Sequence, residues 1–138
     1  MSVKRINDYI PQAIGVLQDS GIAKNGEIVK SYRSQISSFG AAVRMGTLAS
    51  AVAFYSKAAS TGENARGGEG GMDRTLLMRA IYMLIKPNGT EDLLTAVVNN
   101  RPGFDKENVL DAAAALKLGM NAYYLTEPKK AGTNSGGN

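Results

Sequence analysis

The stretch Ile28-Val29-Lys30-Ser31-Tyr32-Arg33-Ser34-Gln35-Ile36-Ser37-Ser38-Phe39-Gly40-Ala41-Ala42-Val43-Arg44-Met45-Gly46-Thr47-Leu48-Ala49-Ser50-Ala51-Val52-Ala53-Phe54-Tyr55-Ser56-Lys57-Ala58-Ala59-Ser60 contains no acid and no proline. Its apolar residues recur at helical spacing, which predicts one long helix from about Ile28 to Ser60. On a wheel advanced by about 100° per residue, Lys30, Arg33, Ser37 and Arg44 fall within about 60° of one another. Tyr32, Ile36, Phe39 and Val43 gather roughly opposite. A row of cations backed by a packed apolar face suits contact with a phosphate backbone, because each contact releases a condensed counterion. The alternative is an ordinary solvated face.

The second half of the stretch reads differently. Leu48, Ala51, Val52 and Tyr55 lie on the side that was basic earlier, while Ser50 and Phe54 continue the apolar face. Gly46, Ala49, Ser50, Ala51 and Ala53 keep it slim. A helix apolar all round is buried, either at the centre of a bundle or by a partner subunit. Gly40 and Gly46 each cost about 1 kcal/mol relative to alanine in a helix interior. Close approach of a neighbouring helix is the expected compensation.

Outward from this stretch, helical periodicity continues and no alternating strand pattern stands out. A first helix from about Lys4 to Ser20 carries Ile6, Ile10, Ala13, Ile14 and Leu17 on one face. Pro11 marks either a kink or a helix start. Gly21 offers a stop, and Lys24-Asn25-Gly26 reads as a turn. Thr61 to Gly71, rich in glycine, reads as a flexible connection. Asp73 is placed to cap a third helix reaching about Lys86, and Pro87-Asn88-Gly89 ends it. Thr90-Glu91-Asp92 suits the start of a short fourth helix. After Arg101-Pro102-Gly103, Asp105 is placed to cap a last helix reaching about Leu125. Residues 1–127 are therefore expected to form an all-α, compact single-domain bundle of about five helices around one long central helix. Residues 128–138 read as a polar, disordered tail.

Composition narrows the chemistry. With 138 residues and 43% hydrophobic content, the chain can bury a core without staples. It has no cysteine and no histidine, which removes disulfides, thiolate nucleophiles, sulfur metal ligands and imidazole proton transfer. The net charge of +4 is unevenly spread. Residues 1–60 hold Lys4, Arg5, Lys24, Lys30, Arg33, Arg44 and Lys57 against Asp8, Asp19 and Glu27, whereas the rest of the chain is balanced. That asymmetry points to a polyanionic partner for the first half. No apolar h-region follows Met1 to Arg5, and no stretch approaches the roughly 18 apolar residues of a membrane helix. A cytoplasmic protein without a membrane partner is the expectation.

Other sites have plainer explanations. The glycines between Thr61 and Gly71 are followed by no Lys-Ser/Thr and are interrupted by Glu63 and Glu69, so they make no phosphate-binding loop. Glu107 and Asp111, four residues apart, and the adjacent pair Glu91-Asp92 are the remaining catalytic candidates. Helix capping and surface charge account for them, and an Mg²⁺ enzyme needs further converging carboxylates. No catalytic residue, metal or cofactor is expected. Tyr123 and Tyr124 are adjacent on the expected last helix, so one is expected to face outward.

Tyr32-Arg33-Ser34-Gln35-Ile36-Ser37-Ser38-Phe39-Gly40-Ala41-Ala42-Val43, continued by Gly46-Thr47-Leu48-Ala49-Ser50-Ala51-Val52-Ala53-Phe54-Tyr55, resembles the small helical subunit of type III-B CRISPR (Cmr) effector complexes. Leu77 to Ile81 and Ala115 to Leu125 resemble later helices of that family. The resemblance covers roughly Ile6 to Leu125, and its motif is a packing pattern. Where the family often has Gly-Leu at mid-helix, this chain has Gly46-Thr47-Leu48. The resemblance implies a non-catalytic subunit that stacks with copies of itself and other Cmr subunits beside a guide–target RNA duplex. It implies RNA contact through Arg33 and Arg44, with Lys30 on the same face, and with Arg79 and Lys117 as weaker candidates. Other readings are the related type III-A small subunit, a free helical nucleic-acid-binding or regulatory protein, and a metal-dependent enzyme.

Overall fold

In a computed structural model the described residues are 2–57 and 72–127. The expected connection from Thr61 to Gly71, the end of the expected long helix (58–60) and the expected tail lie outside them. Six α-helices are described: α1 (Val3–Asp19), α2 (Ser31–Met45), α3 (Leu48–Ser56), α4 (Arg74–Ile85), α5 (Leu93–Val98) and α6 (Lys106–Gly119). The architecture is mostly helical but not all-α. Three short strands, β1 (Ala23–Lys24), β2 (Glu27–Val29) and β3 (Tyr124–Thr126), form a sheet in that order.

The expected single long helix is replaced by a strand and two helices. Ile28 and Val29 belong to β2, and the helix begins only at Ser31. Gly46 then leaves helical geometry (φ −128°, ψ −134°), and extended Thr47 starts α3 by accepting a hydrogen bond from the Ser50 N–H through its hydroxyl. A threonine followed by three free N–H groups is a favourable N-cap, so the break has a local cause. It also resolves the wheel's inconsistency. Leu48, Val52 and Tyr55 appear on the basic side only if the helix is continuous; as a separate helix, α3 turns Ala51, Val52 and Tyr55 into the core by itself. The all-round burial expected for this segment is not found. Ala49 and Ser50 are exposed, and so is Phe54, whose ring lies 4.6 Å below the Arg74 guanidinium.

The central element is α6. Its Asn108, Val109, Asp111, Ala112, Ala113, Ala115, Leu116 and Gly119 are buried, and it packs on α1, α2 and α4. Small residues permit this. A Cβ at Gly119 would sit 3.3 Å from Ala13 Cβ and 3.5 Å from the Ile14 nitrogen, so close helix approach occurs here, against α1. The expected approach at Gly40 and Gly46 does not occur: the nearest neighbours there are Arg44 and the Ala42 carbonyl. α1 runs through Pro11 without interruption and buries Ile6, Ala13 and Leu17.

The sheet grows from Asn25-Gly26. Both residues have positive φ (54° and 78°), the geometry of a two-residue hairpin turn, and β1 and β2 pair antiparallel across it. The last helix ends at Gly119, short of the expected Leu125. A 3-10 turn (Met120–Ala122) follows, and β3 then pairs in parallel with β2, Ile28 opposite Leu125. The expected caps at Asp73 and Asp105 are present; α5 is capped by Asp92, not Thr90.

Candidate functional site

α2 and α6 lie side by side, and the shallow groove between them has a volume of about 260 Å³. Ile36, Ser37, Gly40 and Arg44 line it from α2; Leu110, Ala113, Ala114 and Lys117 line it from α6. No acid is on its wall. Arg44 lies back along its own helix over Gly40, with Nη1 3.5 Å from where a Cβ of residue 40 would be. Tyr32, Phe39 and Val43 are buried away from the groove and anchor the helix, so the wheel's opposition of basic and apolar faces holds for α2 except at Ile36, which is buried and also reaches the groove.

The five expected contact residues do not form one row. Arg44 and Lys117 meet across the groove. Arg33 stands at its end, where Nη1 donates to Asn121 Oδ1 at 2.8 Å and to the Lys117 carbonyl at 3.3 Å. Lys30 lies beyond, and its ammonium is 3.0 Å from Glu127 Oε2 with both side chains exposed. Arg79 is elsewhere. It lines a separate cleft of about 770 Å³ between α4 and the chain entering α5, together with Thr75, Met78, Tyr82 and Leu94. That cleft shares no residue with the groove.

The carboxylate candidates are also dispersed. Asp111 is fully buried and accepts from Arg5 Nε and Nη2, each at 2.7 Å, and from the Ser2 N–H. The bond to Asp111 raises the Arg5 pKa above its ordinary value. Asp111 thus fastens the start of α1 to α6. Glu91 is bound by Arg101, whose hydrogen bond lowers the Glu91 pKa, and Asp92 is lowered by the Thr95 N–H that it caps. Tyr123 half-buries its ring and donates to the Ile14 carbonyl, while Tyr124 on β3 is 80% exposed. Neither lies on the last helix, so helical adjacency does not set their directions.

Sequence reasoning missed Asn121 and the Arg5–Asp111 pair. Both rest on contacts between residues far apart in the chain, and no local signal could have found them. Among the described residues, no helix is long and apolar enough to cross a membrane, and no three His, Cys, Asp or Glu side chains gather as a metal site.

These features describe a mostly helical protein with a small sheet and one cation-flanked interhelical groove. Comparison with known proteins finds no matching family model, no matching curated protein and no matching solved structure.

Proposed function

We propose that this chain is a non-catalytic small subunit of an RNA-guided, RNA-targeting ribonucleoprotein of the type III-B CRISPR (Cmr) kind. In this reading it packs beside other subunits and copies of itself, in the cytoplasm, and meets the guide–target RNA through basic side chains. One observation carries the reading. Arg44 lies within the long-helix stretch that carries the family resemblance and Lys117 within its last segment, and both line a single groove without acids. Neither side chain has an ion-pair partner among the described residues.

The chemistry supports contact with the phosphate backbone. No aromatic residue lines the groove, which disfavours base stacking, whereas two cations among otherwise uncharged residues suit a phosphodiester. Asp111, the most buried carboxylate of the enzyme reading, is engaged in holding α1.

Purification of the protein from its native cell under gentle conditions tests the proposal. Co-purifying protein subunits and short guide RNA are expected. A protein recovered alone and free of RNA, from cells in which the other subunits are expressed, contradicts it.

A further inference from the structure

We infer that the α2/α6 groove seats a single phosphodiester, with Arg44 and Lys117 in contact and with Arg33 and Asn121 as positioning residues. The inference rests on the nucleic-acid reading above and separates cations that the helical wheel places together.

Arg33 is already occupied. Its Nη1 donates to the Lys117 carbonyl and to Asn121 Oδ1, and the side chain is only partly exposed. The Lys117 carbonyl lies in the last turn of α6, where a helix runs out of its own N–H partners. A cation at that end also complements the negative pole of the helix. Arg33 therefore acts as a C-terminal cap of α6 supplied by α2. It holds the two helices together at Lys117, whose side chain lines the groove.

Lys30 is likewise occupied, by Glu127, and it does not line the groove. Arg44 is different. It has no carboxylate partner among the described residues and lies over the bare backbone of Gly40, with Nη1 and Nη2 3.5 and 3.7 Å from the position a Cβ would take. Arg44 is exposed and lines the groove from α2, as Lys117 does from α6. Ser37 adds a hydroxyl to the same wall while its Oγ donates to the Arg33 carbonyl at 3.2 Å. The groove offers two cations among uncharged residues (Ile36, Ser37, Gly40, Leu110, Ala113 and Ala114), which match one backbone phosphate without reading its base.

The salt dependence of binding separates contact from positioning. The probe is a short fluorescein-labelled polyuridine RNA, followed by anisotropy across a range of salt concentrations with the full chain. Each phosphate contact on a single strand contributes about 0.7 to the slope of log affinity against log salt. Arg44→Gln and Lys117→Gln are each expected to weaken binding and to reduce the slope by part of that amount, and the two together to reduce it by about 0.7, because they share one phosphate. Asn121→Ala is expected to weaken binding severalfold with the slope unchanged. Arg33→Lys, which keeps charge but loses the planar fork, should behave like Asn121→Ala.

Thermal melting provides a second readout. Arg33→Lys and Asn121→Ala are expected to lower the midpoint, and Arg44→Gln and Lys117→Gln to leave it in place. If Arg33→Lys binds normally while Arg33→Gln loses the same slope as Arg44→Gln, Arg33 is a contact and the positioning role is wrong. If the wild-type chain binds RNA and all four variants bind equally, the groove is not the seat. If the wild-type chain shows no salt-dependent binding at low salt, the nucleic-acid reading itself fails and the seat with it.

Discussion

α6 presents two charged sides, and they are treated in opposite ways. Toward α1 it offers Asp111, fully buried and matched by Arg5 and the Ser2 N–H. Toward α2 it offers Lys117, half-exposed and facing another cation, Arg44. The first arrangement is complete within the chain, because a buried carboxylate must be paired to be tolerated. The second leaves two like charges over one groove, and an anion from outside would complete it. Charge on the α1 side is spent on folding; on the α2 side it remains available for a partner.

Breaking the complete side should have the largest effect on stability. Asp111→Ala removes the carboxylate that is hydrogen-bonded to Arg5 and leaves a donor unmatched. The expected loss is about 2–3 kcal/mol in denaturant unfolding, below the full range for buried pairs because Arg5 is 39% exposed. A loss within experimental error would show that the packing of Ile6, Ala13 and Leu17 and the other hydrogen bonds of α1 hold it without this pair.

The helix break tests whether the α2 side owes its shape to local capping. Thr47→Ala removes the hydroxyl that accepts the Ser50 N–H and should cost about 1 kcal/mol. Gly40→Ala acts in the other direction. A Cβ there meets Arg44 at ordinary contact distance, so helix propensity should dominate and add about 0.5–1 kcal/mol. Should Gly40→Ala destabilise the fold, the position of Arg44 over Gly40 matters more than propensity.

Acid should act through two carboxylates away from both sides, Asp92 and Glu91. The hydrogen bond from the Thr95 N–H holds the Asp92 carboxyl below its ordinary value, and Arg101 does the same for Glu91. A carboxyl depressed in the folded state contributes stability that is fully present above its unfolded pKa, about 3.9 for Asp and 4.3 for Glu. That contribution is lost as pH falls through the lower folded value. Unfolding free energy should therefore be flat near neutrality and fall below about pH 4.5, with the fall reduced in Asp92→Asn. The smallest effect is expected on the open side. Arg44→Gln with Lys117→Gln should change stability by less than about 0.5 kcal/mol, since neither side chain has an ion-pair partner among the described residues.

Much of the helical framework was legible in the chain. Ile6, Ala13 and Leu17 announced α1 by spacing, and Asp73 and Asp105 announced the starts of α4 and α6 by capping chemistry. The hairpin was half legible: Asn25-Gly26 reads as a turn, but β1 and β2 are too short for alternation to appear. β3 was not legible, because it is specified by pairing with β2 almost a hundred residues earlier. The break at Gly46-Thr47 had a readable signal in the capping threonine, which the uninterrupted apolar spacing obscured. At the site, the cationic side of α2 was legible from the wheel. Its division into Arg44, free of ion pairs, and Arg33, engaged with Asn121, was not, because that division depends on where α6 ends.

The most direct measurement is photochemical cross-linking of the protein to 4-thiouridine RNA within its purified ribonucleoprotein, with the linked peptides identified by mass spectrometry. Links concentrated in the α2 segment around Ser37 to Arg44 and the α6 segment around Leu110 to Lys117 are expected. Links that fall instead on the Arg79 cleft, or on no peptide of this chain, contradict the assignment of the α2/α6 groove as the RNA-facing surface.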